Sequence, residues 1–201
     1  MKIDLFPTTV RKYNVPNNNY FIEHWTKEYN ECKFKEISPL VMGYSHLEYE
    51  ELNASYIDIV NQFMVDIGAN ETHSIRLQTF IFKYLEKGES IEAGDFLPSH
   101  YTLTHYINDC KKSDLFFHPA KQLARSYDPT GVSEWVWDTG FYVNAGDVII
   151  YPSYLESASP KNELTDIRMT VTIPIVLRPV SYTHLRAHET SLHLVCRLLL
   201  E

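Results

Sequence analysis

The chain is poor in the residues that several functional classes require. Of its 201 residues three are cysteine, Cys32, Cys110 and Cys196. An odd, unevenly spaced set excludes a disulfide framework and a zinc-binding spacing, and it fits a reducing compartment. Basic residues are outnumbered, 18 Lys and Arg against 26 Asp and Glu, for a formal net charge of −8. With no long basic run, the chain lacks the footprint of a nucleic-acid binder, and the acid excess reads as solvated surface. No segment approaches the roughly 20 apolar residues needed to cross a bilayer. The opening MKIDLFPTTV has no apolar stretch of the signal-peptide kind. The expectation is a cytoplasmic protein, in whatever cell makes or hosts it, with neither membrane nor nucleic acid as partner. There is no phosphate loop or nucleophile elbow. From Pro119 to Pro179 there is no histidine at all.

What is present has a clear order. Leu5, Phe6 and Val10 lie in a lead-in where Pro7 and Pro16 discourage helix. A helix begins near Asn19, a capping residue, with Phe21, Trp25 and Tyr29 on one face. A longer helix is predicted over 49–67, with Leu52, Tyr56, Val60 and Phe63 sharing a face and Gly68 placed to end it. After Gly68 the apolar period changes to two. Strands are predicted over 74–85, 101–107, 114–117, 132–137, 141–143 and 148–151. The clearest is 167–177, where Ile167, Met169, Val171, Ile173 and Ile175 alternate with Arg168, Thr170, Thr172 and Pro174, the pattern of a half-buried strand. Asp128-Pro-Thr-Gly131, Asn144-Ala-Gly146 and Ser159-Pro160 supply turns. Two helices followed by about seven short strands indicate an α+β, mainly β domain built on an antiparallel sandwich or jelly roll.

The last residues stand apart. Val180-Ser-Tyr-Thr-His-Leu-Arg-Ala-His-Glu-Thr190, and the ending His193-Leu-Val-Cys-Arg-Leu-Leu-Leu-Glu201, resemble the translation of a transposase adapter used in sequencing libraries. Such segments are set aside before reasoning about fold. The expected division is therefore an N-terminal segment with supporting helices (1–70), a jelly-roll core (71–179) and a non-native tail (180–201). His184, His188, His193 and Cys196 then carry no chemistry. A natural C-terminal helix is the other reading of the tail, since Leu192, Val195 and Leu199 fall on helical spacing.

Several motifs, in order, resemble the 2-oxoglutarate/iron(II) oxygenases of the prolyl 4-hydroxylase type. Leu5-Phe-Pro-Thr is similar to the start of a phage and bacterial branch. Phe82-Lys-Tyr-Leu-Glu-Lys-Gly88 resembles the strand that leads into the first metal-binding turn. Thr102-Leu-Thr-His-Tyr-Ile-Asn-Asp109, with Asp114-Leu-Phe-Phe117, resembles the Thr…Tyr-Leu-Asn-Asp…Gly-Glu-Leu-x-Phe hairpin. Asn144-Ala-Gly-Asp-Val-Ile-Ile-Tyr-Pro-Ser-Tyr-Leu-Glu156 resembles the segment before the second metal histidine, and Arg168-Met-Thr170 the family's Arg-x-Ser/Thr. The resemblance covers most of residues 70–178. It implies a double-stranded β-helix (jelly roll, cupin-like) with N-terminal helices, Fe(II) and 2-oxoglutarate as cofactors, and a peptide or small-molecule substrate. Iron is held in that family by two histidines and a carboxylate, leaving an open face for 2-oxoglutarate and oxygen. An arginine fork binds the distal carboxylate of 2-oxoglutarate.

Carried over residue by residue, the resemblance assigns co-substrate contacts to Arg168, Thr170 and Tyr84. It places the His-x-Asp motif at Ala93-Gly94-Asp95, so the carboxylate stands as Asp95 and the histidine is alanine. His100 lies nearby at another spacing. The second histidine falls at Ser157. Two missing imidazoles weaken a metal site beyond the 10–100-fold typical of losing an outer-shell partner.

The residues also have plainer readings. Gly94-Asp95 is an ordinary turn pair. Arg168 is either a surface charge or an inward side chain that needs an anion or carboxylate partner. His100 and His105 are five apart and point to opposite faces of one strand, against a shared metal. A looser site would combine Asp95, His100 and His118. His46-Leu-Glu48 precedes the strands. Trp135 and Trp137 read as core or barrel wall. Two functions follow: an oxygenase-like hydroxylase with an incomplete iron site, or a jelly roll kept as a binding or structural module, such as one carried by a bacteriophage.

Overall fold

The computed structural model describes residues 9–34, 41–44, 50–117 and 138–180. The expectations for Leu5, Phe6, His46, His118, the strand over 132–137 with its two tryptophans, Asp128-Pro-Thr-Gly131 and the tail beyond 180 lie outside them.

Two helices come first. α1 (Asn18–Phe34) presents Phe21, Trp25 and Tyr29 to the interior, all at most 5% exposed. α2 (Glu50–Asp66) buries Leu52, Tyr56, Val60 and Phe63 on one stripe. It stops where Gly68 takes a left-handed φ of 70° and the Ala69 amide donates to the Met64 carbonyl at 2.9 Å, closing the last turn.

Strands account for the rest. The principal sheet has seven antiparallel strands. They are β1 (Arg11–Asn14), β2 (Val41–Tyr44), β3 (His73–Leu77), β4 (Phe80–Leu85), β6 (Tyr101–Tyr106), β11 (Asp147–Pro152) and β13 (Arg168–Pro179). Their order is β1-β11-β6-β13-β4-β2, with β3 also paired to β13. A second, four-stranded sheet runs β5 (Ile91–Gly94), β12 (Glu156–Ser159), β8 (Leu115–Phe117), β9 (Asp138–Thr139). A two-stranded ribbon joins β7 (Lys111–Lys112) to β10 (Tyr142–Val143).

The single strand expected over 74–85 is two strands. Between the pairs Ile175↔Leu77 and Thr172↔Ile81, three residues of the β3–β4 segment face two of β13. The extra residue is a bulge, pinned where the Gln78 amide donates to the Pro174 carbonyl at 2.9 Å. It reverses the alternation: Ile75 and Leu77 turn inward in β3, whereas Phe80, Phe82 and Tyr84 do so in β4.

The half-buried strand expected over 167–177 is buried on both faces. Met169, Val171, Ile173 and Ile175 pack with α1 and α2 in one hydrophobic cluster. Arg168, Thr170 and Thr172, on the opposite face, are at most 5% exposed as well. They are covered because the four-stranded sheet packs over that side. Tyr106, Ile149 and Tyr151 of the principal sheet form a second cluster with Phe116 and Leu155. The polar half of the pattern thus marks an enclosed interior between two sheets, where each polar group needs a protein partner.

Candidate functional site

The interior site grows from three strands. β13 brings Arg168 and Thr170, and the register Thr170↔Lys83 and Arg168↔Leu85 sets Lys83 beside them from β4. β6 contributes Tyr106, paired with Thr170. From the facing sheet, Asp114 stands just before β8. Ser157 and Ser159 point inward from β12, and both are buried.

Charge is concentrated here. Arg168 Nη2 donates to Asp114 Oδ1 at 2.6 Å, with side-chain exposures of 5% and 1%. Ser159 Oγ donates to the same oxygen at 2.8 Å. The Asp114 amide donates to the Tyr106 hydroxyl at 3.0 Å, and the Arg168 guanidinium carbon lies 5.9 Å from the Tyr106 ring centroid. Ser113 holds the segment from behind: its hydroxyl donates to the Asp114 carbonyl at 2.7 Å and accepts from the Phe141 amide at 2.8 Å. Lys83 is 7% exposed, with its ammonium 5.2 Å from the Phe96 ring centroid. Burial lowers its pKa; the Asp114 carboxylate opposes that shift and the Arg168 guanidinium adds to it. Tyr106 and Tyr151 are fully buried phenols, each raised above the ordinary tyrosine value by desolvation first. Cys110, beside them, is pushed up to about 12 by burial, so it is a packed thiol and no nucleophile.

The sequence-predicted residues separate. Arg168 and Thr170 share the interior. Tyr84 does not join them. Its neighbour Lys83 takes the inward place on β4, and Tyr84 faces α1, its ring 4.9 Å from that of Tyr29. Asp95 is exposed, and its Oδ1 accepts from the Leu97 amide at 3.3 Å, an Asx turn. His100 is exposed, and its Nδ1 accepts from the Leu177 amide at 3.2 Å. His105 lies on the helix side of β6, fully buried, between the Tyr56 hydroxyl at 2.9 Å and Asn18 Oδ1 at 3.0 Å. Desolvation lowers its pKa to about 3, against a smaller opposing pull from Asp147, so it is a neutral strut.

Ala93 is exposed, and Gly94 pairs with Ser157 across β5 and β12. The two positions where imidazoles are expected are therefore close in the fold. Ser157 Oγ accepts from the Tyr151 hydroxyl at 3.3 Å, and the Tyr151 ring lies 4.6 Å from that of Phe116. Among the described residues no three His, Cys, Asp or Glu side chains gather as metal ligands. These residues do not fit an iron centre: one expected donor is a methyl group, another a hydroxyl bonded to tyrosine, and the carboxylate is engaged in a turn. The residues missed by sequence reasoning are Asp114 and Lys83. Their signals were a lone lysine inside Phe80-Ile-Phe-Lys-Tyr-Leu85 and an acid opening Leu115-Phe-Phe117.

No family model and no curated protein matches the sequence. Solved structures do match. HygX from Streptomyces hygroscopicus, with nickel and 2-oxoglutarate bound, aligns with a TM-score of 0.56 and 10% identity, over 84% of this chain and 82% of its own. The viral collagen prolyl hydroxylase of Paramecium bursaria Chlorella virus-1 aligns at 0.55 and 9%, over 87% and 95%. A prolyl-4-hydroxylase of Pseudomonas putida aligns at 0.53 and 11%, over 84% and 92%. The chain has the fold of the 2-oxoglutarate/iron(II) oxygenases. The shared fold covers 82–95% of those structures' own chains.

Proposed function

We propose that the chain keeps the double-stranded β-helix of the 2-oxoglutarate/iron(II) oxygenases without their iron chemistry, and acts as a binding or structural protein. The observation that carries this reading is the pair Ala93 and Ser157. Ser157 pairs with Gly94, the neighbour of Ala93, across β5 and β12, and neither an alanine nor a serine can ligate iron as histidine does. Fold alone does not assign activity; the side chains at the site do. The net charge of −8 favours a small-molecule or peptide partner over nucleic acid. Among the described residues no helix is long and apolar enough to cross a membrane.

The enzymatic reading draws on Arg168 and Thr170, both inside the barrel. There, 2-oxoglutarate, which HygX binds, would lie against the arginine, and Asp95 with His100 would hold Fe(II) in a non-standard shell. Against it stands the engagement of Asp95 by Leu97 and of His100 by Leu177.

Calorimetry with Mn(II), or with Fe(II) under nitrogen, in the presence of 2-oxoglutarate separates the two. The binding-module reading expects no saturable metal heat, and no succinate on admitting oxygen. Tight metal binding that disappears in Asp95→Ala or His100→Ala, together with succinate formation, would reverse the conclusion.

A further inference from the structure

The interior cluster has an unusual balance. Lys83 and Arg168 are two cations, at 7% and 5% exposure, on neighbouring strands; the carboxylate between the sheets is Asp114 at 1%. A buried guanidinium is tolerated only when an anion meets it. Here that anion is supplied by the chain itself, 54 residues away in sequence. The carboxylate is held as a bound ligand would be. One oxygen takes both the arginine and the Ser159 hydroxyl, and the segment carrying it is fixed by Tyr106 and Ser113. The fit is also incomplete: Asp114 Oδ2 and Arg168 Nε are buried and have no hydrogen-bond partner. One acceptor and one donor are thus left over, because the short Asp114 side chain meets the guanidinium through a single oxygen.

We propose that Asp114 is a resident substitute for a bound carboxylate. It occupies the anion seat formed by Arg168 and Ser159, with the Lys83 charge acting from further off, so the intact protein is closed to free carboxylates and opens to them only when the Asp114 carboxylate leaves. The ligand class of the latent seat is a small aliphatic carboxylate. The seat requires no metal. The inference deepens the reading that this interior does not run iron chemistry, since the arginine is already neutralised from within.

Chemical rescue tests it, in metal-free buffer with chelator, at constant ionic strength and with chloride as control. Asp114→Gly deletes the carboxylate and leaves space of acetate size. The melting temperature of this variant should fall by roughly 10 °C. Acetate or formate should raise it again, saturably, whereas Asp114→Gly/Arg168→Met should not respond. The parent chain should bind neither acetate nor glutarate. Saturable glutarate binding to the parent overturns the proposal, and this measurement needs no variant to fold. An Asp114→Gly chain that gains nothing from acetate or formate, whether added to the folded protein or during refolding, also overturns it. Failure of this idea is separable from failure of the functional reading. Glutarate on the parent without metal heat or succinate sinks only the first, and metal heat that Asp95→Ala abolishes, alongside intact rescue and no glutarate binding by the parent, counts against only the second.

Discussion

The two faces of β13 are both buried, in different ways. Toward the helices, Met169, Val171, Ile173 and Ile175 meet an aromatic layer in which Trp25 stacks on Phe82 at 4.7 Å. His105, embedded in that layer, has partners on both ring nitrogens. Toward the second sheet, Arg168, Thr170 and Thr172 enter a mixed interior. Tyr106, Tyr151 and Phe116 supply apolar surface there, and Asp114 supplies charge. The first face is stabilised without direction, by area removed from water. The second depends on a few directed contacts, and each is costly if one partner is removed. The alternation of β13 therefore encodes two kinds of interior, and its polar half is no solvent face.

The largest expected effect comes from breaking the directed side. Arg168→Met should cost about 3–5 kcal/mol of unfolding free energy, because it leaves the Asp114 carboxylate buried and unpaired. Adding Asp114→Leu should restore the parent's stability or exceed it, since a well-packed apolar pair avoids the desolvation that the ions suffer. Denaturant unfolding of parent, single and double variants gives the three numbers. A single-variant loss under about 1 kcal/mol, the value of a solvated surface pair, would mean that the interior is wet and the contrast between the faces is false.

The helix side has its own weak point. His105 titrates at about 3 in the fold, below its ordinary 6.5, chiefly through desolvation. Between those values the unfolded chain binds a proton that the folded chain refuses. The stability present above pH 6.5 is therefore lost as pH falls toward 3. By pH 5 the loss from this group should reach about 2 kcal/mol. Unfolding at pH 7.5 and 5.0 should show that excess loss in the parent and not in His105→Gln. Parallel losses in both would show that the histidine is hydrated or protonated in the fold.

Much of the helix side was legible in the sequence. The four-residue spacing of Phe21, Trp25 and Tyr29, the stripe of α2, and Gly68 as its stop all follow from helical geometry and capping. The alternation of β13 was legible too. Short strands such as β1, β5 and β12 were not, because four residues carry too little periodicity to stand out. The bulge at Gln78 hid itself, since an extra residue looks like continued strand until its partner is known. At the site, the requirement that an inward Arg168 have an anion was readable, but the identity of that anion was not. Asp114 reaches it through a contact between sheets, and no local pattern links positions 54 apart. Tyr84 was assigned by motif position, which does not fix the face. The bulge before β4 set the side chain order, giving Lys83 the interior and Tyr84 the helices.

The smallest expected effect concerns the other aspartate. Asp95 and Asp114 are both acids beside the second sheet, and the sequence singles out the former. The structure gives them opposite situations: Asp95 is exposed with one amide contact at 3.3 Å, and Asp114 is 1% exposed with a guanidinium and a hydroxyl on one oxygen. Asp95→Ala should change stability by no more than about 0.5 kcal/mol, as surface substitutions away from special features do. Mn(II) should shift the unfolding of parent and variant equally. A metal-dependent difference between the two would make Asp95 a ligand, and the rim of the interior, rather than its centre, would then hold the protein's chemistry. Equal curves would leave Asp95 as the acceptor of a turn, which is all that its single contact with Leu97 requires.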